Sequence, residues 1–188
     1  KPMIQWVLDA LGKASCIDGV IVMGLTAERG LTCAKPLHFT QNQGSMLENI
    51  LKGVAEVQAL NPGPQYLLVV SSDIPGVQPE MIDWVAQEVH SIGADIYYNI
   101  IPRPVMEKRF PTSRRTYTHL KDMEVCGGDL NAIHTHAVES DHVFWNNLIN
   151  SRKNPLKQAS IIGFDVLFLL LLRRITLQEA VERVAKRV

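Results

Sequence analysis

The run Tyr66-Leu67-Leu68-Val69-Val70-Ser71-Ser72-Asp73-Ile74-Pro75-Gly76 constrains this chain more than any other stretch. Its apolar, mostly branched residues follow Asn61-Pro62-Gly63-Pro64 and give way to a Pro-Gly turn. That pattern predicts a strand buried on both faces of a parallel sheet. A carboxylate stands where the strand ends. In open α/β sheets ligands bind outside the carboxyl ends of the strands, so Asp73 is placed like a metal ligand.

The flanking pattern supports an alternating architecture. Met3, Ile4, Val7, Leu8 and Leu11 keep helical spacing and Gly12 suits the helix end. Residues 17–23 read as a buried strand, followed over residues 25–43 by a long polar loop with room for a short strand. Ser45 with Glu48 forms a capping-box pair for a helix that buries Met46, Leu47, Ile50, Leu51, Val54 and Val57. After the central strand, Gln78-Pro79 opens a helix with Met81, Ile82, Val85 and Val89 inward, and Gly93 closes it. Residues 95–101 read as one more strand.

Alternation of this kind predicts an α/β fold with a right-handed, doubly wound, mostly parallel sheet. Beyond Pro104 the pattern breaks. Residues 117–133 suggest a small antiparallel insertion around Gly127-Gly128, and the C-terminal part reads as helices over residues 141–150, 155–173 and 178–187, the last capped by Thr176 and Glu179.

With 188 residues the expectation is a single domain over residues 1–188. Equal numbers of basic and acidic residues, 19 of each, leave no global field toward nucleic acid or anionic lipid. Phosphate chemistry must therefore be local. Cys16, Cys33 and Cys126 are odd in number and far apart, which favours free thiols in a reducing cytoplasm over a disulfide framework. The opening Lys1-Pro2-Met3-Ile4 has no signal-peptide pattern. The apolar run of residues 166–172 is far shorter than the roughly 20 residues of a membrane span and reads as a core or interface helix.

Chemistry alone leaves Asp73 with two readings of equal weight. A strand-end carboxylate flanked by the hydroxyls of Ser71 and Ser72 suits a hard cation that also takes phosphate oxygens. The same residue is also suited to capping a helix or bracing a turn.

Lys1-Pro2-Met3-Ile4-Gln5-Trp6-Val7-Leu8-Asp9-Ala10-Leu11, Gln43-Gly44-Ser45-Met46-Leu47-Glu48-Asn49 and Val69-Val70-Ser71-Ser72-Asp73-Ile74-Pro75 occur in that order. Together they resemble the MobA-like NTP transferases, nucleotidyltransferases of the Rossmann-like GT-A fold related to molybdenum-cofactor guanylyltransferase, over roughly residues 1–133. The resemblance implies that Asp73 is the metal-binding and catalytic acid, holding Mg2+ against a triphosphate. It implies that Gln43, Gly44 and Ser45, with Ser71 and Ser72, lie along the nucleotide, where a missing side chain lets backbone amides approach. Gly128, Asp129 and Asn131 would line the acceptor pocket.

The family's glycine-rich loop and catalytic lysine lie upstream of the Lys-Pro-Met-Ile segment, and its second metal-binding acid follows a late strand. Both are expected outside residues 1–188, a phosphate loop being commonly mobile when empty.

Among the basic residues of the insertion, Arg114 and Arg115 are the stronger candidates for clamping a phosphorylated acceptor, because arginine forks match phosphate oxygens two at a time. For each, a solvated loop face is the competing reading and the weightier one. His134 and His136 would share a strand face, and with Asp141 and His142 they invite a zinc reading. No cysteine or carboxylate completes the set at tight spacing, so a surface or capping role outweighs it. Cys126 reads as a small buried residue.

The leading expectation is thus a cytoplasmic, Mg2+-dependent nucleotidyltransferase that joins an NMP from an NTP to a phosphorylated small-molecule acceptor and releases pyrophosphate. Its partners would be the NTP and the acceptor, without nucleic acid or membrane, and a homodimer is allowed. The alternative is a catalytically silent nucleotide- or sugar-nucleotide-binding module of the same fold. A glycosyltransferase would usually show Asp-x-Asp at the strand end, and here Ser71 stands in the first of those places.

Overall fold

A computed structural model describes residues 1–63, 65–140, 145, 147 and 163–186. The chain divides into two compact units, Lys1–Tyr98 with Asp129–Ser140, and Asn99–Gly128 with Asp141–Val188.

The first unit begins with helix α1 (Met3–Lys13), strand β1 (Val20–Met23), a single 3-10 turn at Ala27–Arg29 and strand β2 (Leu37–Thr40). β1 and β2 pair in parallel, Val20 opposite Leu37 and Met23 opposite Thr40, so the long polar segment does contain a strand. Helix α2 (Met46–Leu60) follows, with the Ser45 hydroxyl accepting the Glu48 N–H as its cap. Then come strand β3 (Tyr66–Val70), helix α3 (Pro79–Ile92) and the two-residue strand β4 (Ile96–Tyr97).

The expected continuous strand over residues 95–101 is broken. After β4 the chain passes into the second unit as β5 (Ile100–Pro102), and the two pieces pair with different partners. The second unit continues with α4 (Arg103–Arg109), β6 (Thr118–His119) and β7 (Glu124–Gly127). The chain then returns to the first unit as β8 (Leu130–His134) and α5 (Thr135–Ser140).

β8 changes the sheet from the one expected. It inserts between β3 and β4 and runs antiparallel to both, so among the described residues the only parallel pairing is that of β1 with β2. The β3-α3-β4 crossover still leaves β3 and β4 pointing the same way, as strand-helix alternation requires. Their hydrogen bonds go to a strand that arrives about sixty residues after β3 and just over thirty after β4. The α/β class stands, and the sheet is mixed.

β3 is also half-buried throughout, not enclosed on both faces. Leu68 and Val70 pack with Leu130 and Ala132 of β8 against Val7, Ala10, Leu11 and Ala14 from the α1 side and Ile82, Val85 and Val89 of α3. Spacings of three and four place each helical set on one face. Burial of a side chain such as Ile82, which is wholly enclosed, stabilises by roughly 1.5–3 kcal/mol. Ile74 and Val77 join the same core and pin the loop between β3 and α3.

In the second unit, β5, β7 and β6 form an antiparallel sheet in that order. Leu120 and Val125 of this unit pack with Val166 and Ile175 next to helices α6 (Phe164–Leu171) and α7 (Leu177–Ala185). The Thr176–Glu179 capping box is present with both of its bonds. Of the helix expected over residues 141–150 only residues 145 and 147 are described, both helical, and the start of the one over 155–173 lies outside the described residues. No described helix is long and apolar enough to cross a membrane.

Candidate active site

Asp73 sits three residues beyond β3 on an exposed turn. The Ser71 N–H donates to the carbonyl of Asp129 at 2.9 Å, extending the β3–β8 ladder by one bond past its last paired residues, Val70 and Leu130. The Ser71 hydroxyl donates to Oδ1 of Asp73 at 2.6 Å. A second turn bond, from the Val77 N–H to the Ile74 carbonyl at 3.1 Å, closes the loop before α3. With Ile74 and Val77 held in the core, Ser72 and Asp73 face solvent.

Pairing places Asn131 opposite Val69 and brings Asp129 beside Ser71. Two of the residues assigned to the acceptor, Asp129 and Asn131, therefore adjoin the strand end that carries Asp73. The donors gathered here are hard oxygens, which fit a magnesium ion held by one or two carboxylates together with phosphate oxygens and water.

The loop at the end of β2 is internally bonded. The Gly24 N–H donates to the Thr40 carbonyl at 2.7 Å, joining the carboxyl ends of β1 and β2. The Gln43 N–H donates to Asn49 Oδ1 at 2.8 Å and the Gly44 N–H to Asn42 Oδ1 at 2.9 Å, while Asn49 bonds Asn42 at 3.1 Å. Gly44 has φ +97°, a left-handed backbone that glycine adopts without strain. Gln43 and Gly44 are exposed, and Ser45 spends its hydroxyl on the cap of α2.

The remaining predicted residues belong to the second unit. Arg114 and Arg115 are exposed on the irregular segment before β6. Gly128 donates its N–H to the Asn99 carbonyl at 2.8 Å, and a Cβ there would stand 3.0 Å from Asn99 Cβ and 3.1 Å from its oxygen. Its glycine answers to that close approach of backbones.

Arg103, which sequence reasoning passed over, is the best-organised cation among the described residues of this unit. It bonds Glu107 Oε1 at 2.7 Å and Glu124 Oε2 at 2.8 Å, and its guanidinium lies 5.1 Å from the Tyr117 ring centroid. The hydrogen bonds it donates to Glu124 and Glu107 raise its pKa further above the ordinary arginine value. Only the i,i+4 spacing of Arg103 and Glu107 was visible beforehand.

Two other features of the first unit are chemically suggestive. An open groove of about 440 Å³ runs past Ser15, Cys16, Asp83 and His90, but its carboxylate is engaged by the backbone amides of Ser15 and Cys16 at 3.1 and 2.9 Å. At the opposite end of β3 from Asp73, donor atoms of Asp95, His134 and His136 lie within 4.8 Å of one another. Asp141 and His142, the other members of the zinc reading, lie outside the described residues, and Asp95 supplies the carboxylate here. Strand pairing alone brings it there.

The model of the MobA-like NTP transferase domain matches residues 1–139. Among solved structures, a hypothetical transferase from Thermus thermophilus aligns with a TM-score of 0.76 at 28% identity, covering 98% of this chain and 74% of its own. The CMP:2-keto-3-deoxy-manno-octonic acid synthetase complexed with CTP aligns at 0.58 with 13% identity, over 92% of this chain and 75% of that one. The 4-diphosphocytidyl-2C-methyl-D-erythritol synthase from Anaerococcus prevotii DSM 20548 aligns at 0.55 with 10% identity, over 99% and 86%. At such identities these last two show likeness of fold. Among curated proteins none matches the sequence.

Proposed function

The chain belongs to the MobA-like NTP transferase domain family, and on that premise we propose that it is a magnesium-dependent enzyme joining an NMP from an NTP to a phosphorylated small-molecule acceptor. The nucleotidyltransferase class follows from the family. The choice of ion, the phosphorylated acceptor and the cytoplasmic setting are our reading.

One observation carries it. Asp73 is exposed at the carboxyl end of β3, steadied by Ser71, next to a strand end that brings Asp129 and Asn131 alongside. In the proposed reaction an acceptor phosphate oxygen attacks the α-phosphorus of the NTP. A new phosphorus-oxygen bond forms as the bond to the β-phosphate oxygen breaks, and pyrophosphate leaves. When bound, magnesium neutralises charge on the triphosphate.

The residues of the chain have positioning work. Asp73 would hold the ion through its carboxylate, and Ser71 fixes that carboxylate's rotamer. Ser72 and the Gln43-Gly44-Ser45 loop are assigned to the nucleotide, with the Gly44 N–H exchanging Asn42 for a ligand oxygen. Asp129, Asn131 and Gly128 are assigned to the acceptor, and Arg114 and Arg115 to its phosphate. Such placement and charge neutralisation supply most of the rate in phosphoryl-group chemistry.

The test is pyrophosphate release from each of ATP, CTP, GTP and UTP with magnesium and a panel of sugar and polyol phosphates. Turnover by the full chain with one nucleotide, lost by about a hundredfold or more in Asp73→Asn with an unchanged circular dichroism spectrum, supports the reading. Turnover unaffected by that substitution removes Asp73 from the mechanism. Selective nucleotide binding without turnover assigns the chain to a silent binding module.

A further inference from the structure

We propose that Asp95, His134 and His136 form a binding site for a divalent transition ion of the zinc type, separate from the nucleotide edge. The three donors already lie within 4.8 Å of one another. In a tetrahedral zinc site with bonds of about 2.0–2.1 Å, donors stand roughly 3.3 Å apart. An approach of about 1.5 Å, by side-chain rotation together with release of the His136 N–H from His134, would bring the donors to that spacing.

His134 ends β8 opposite Tyr66, and its N–H donates to the Asp95 carbonyl at 2.7 Å, so the histidine and the aspartate are tied by their main chains. Thr135 donates its N–H to Gln65 at 2.8 Å, which fixes the step from β8 into α5 and with it the position of His136. The Tyr66 ring meets His134 edge-on, with centroids 4.6 Å apart, and forms a wall on one side. His134 is half-buried, while Asp95 and His136 are exposed, so an ion can enter from solvent and keep a water in its fourth position.

The donor set selects the ion. Two imidazoles and a carboxylate suit zinc and its first-row neighbours, whereas magnesium and calcium sites are built from oxygens. Occupancy would require one sacrifice, since the His136 N–H now donates to His134 Nδ1 at 3.0 Å and occupies that lone pair. His134 Nδ1 is freed if this turn relaxes. In return the ion clips the residue before β4 to the end of β8, across about forty residues of chain, the kind of closure from which a metal clip draws most stabilisation. Tyr66, opposite His134, is the first residue of β3, and Asp73 lies beyond its last. The ion is therefore a brace for the mixed sheet and no part of the transfer reaction.

The experiment takes the full chain freed of metal with chelator and titrates it with zinc chloride, following heat of binding and melting temperature. The expected result is one equivalent bound per chain with a raised melting temperature. Asp95→Asn and His136→Ala, both exposed and both leaving the main-chain bonds in place, are each expected to weaken zinc binding by about tenfold or more. Asp73→Asn should leave it within about twofold, because additivity holds for separate sites. Absence of a saturable single equivalent in the parent chain, or undiminished zinc affinity in either ligand variant, overturns the proposal.

Discussion

The Ser71 hydroxyl donates to Oδ1 of Asp73 at 2.6 Å, and the same serine's N–H donates to the Asp129 carbonyl at 2.9 Å. One residue therefore couples the orientation of the exposed carboxylate to the pairing of β3 with β8. Asp73 itself stays exposed to solvent.

Ser71→Ala removes the hydroxyl bond and keeps the main-chain one. A hydrogen bond to a charged group contributes about 1.5–3 kcal/mol, so kcat/KM for nucleotide turnover is expected to fall about tenfold or more. The magnesium concentration for half-maximal rate should rise with it. Steady-state rates over a magnesium series read both effects, and melting temperature should change little at so exposed a position.

Gly44 and Gly128 are needed for different reasons, and alanine should separate them. At Gly44 the left-handed φ of +97° makes alanine strained whatever the space around it, by roughly 1–2 kcal/mol. The loop then loses its shape, and weaker nucleotide affinity is the signature expected from calorimetry. At Gly128 the added methyl group meets Asn99 at 3.0 and 3.1 Å, so backbone must move. Overpacking of this kind costs about 1–3 kcal/mol, visible as a lower urea midpoint.

Asp83 makes stability depend on acid. Its carboxylate accepts the N–H groups of Cys16 and Ser15 and is held at about 2, below the ordinary 3.8. The folded state therefore favours the ionised form. The resulting stabilisation is complete above about pH 4 and disappears as pH falls toward 2. Melting curves across that window should show a steeper acid loss in the parent chain than in Asp83→Asn, which is also expected to melt lower at neutral pH.

On α3 the inward and outward faces predict opposite outcomes. Ile82 is fully enclosed, and Ile82→Ala is expected to cost about 2–5 kcal/mol. Met81 beside it, expected inward from the spacing, is instead 48% exposed, and its alanine variant should stay within about 0.5 kcal/mol of the parent. Denaturant titration of the two variants checks the assignment of faces.

Local signals survive translation from letters to coordinates because they act over four residues or fewer. Ser45 caps α2, Thr176 and Glu179 cap α7, Gly93 ends α3, and Ile82, Val85 and Val89 turn inward as their spacing implies, whereas Met46 and Met81, expected inward, sit at the edges of their helical faces and are exposed. The family membership was equally legible, since it rests on the order of short motifs. Asp73 stands where the end of β3 puts it, exposed beyond the last apolar residue.

Pairing was not legible. A run such as residues 66–70 looks alike whether its neighbour is parallel or antiparallel, because burial sets hydrophobicity and strand direction does not. Which strand lies beside β3 depends on β8 returning from far along the chain, and that return alone sets Asn131 opposite Val69 and Asp95 against His134. Sequence by itself determined the helices, their caps and the acid at the strand end, through short-range sterics and hydrogen bonds. Only the tertiary structure decided the mixed sheet and the histidine-aspartate cluster, because contacts between distant segments follow from the packing of the whole unit.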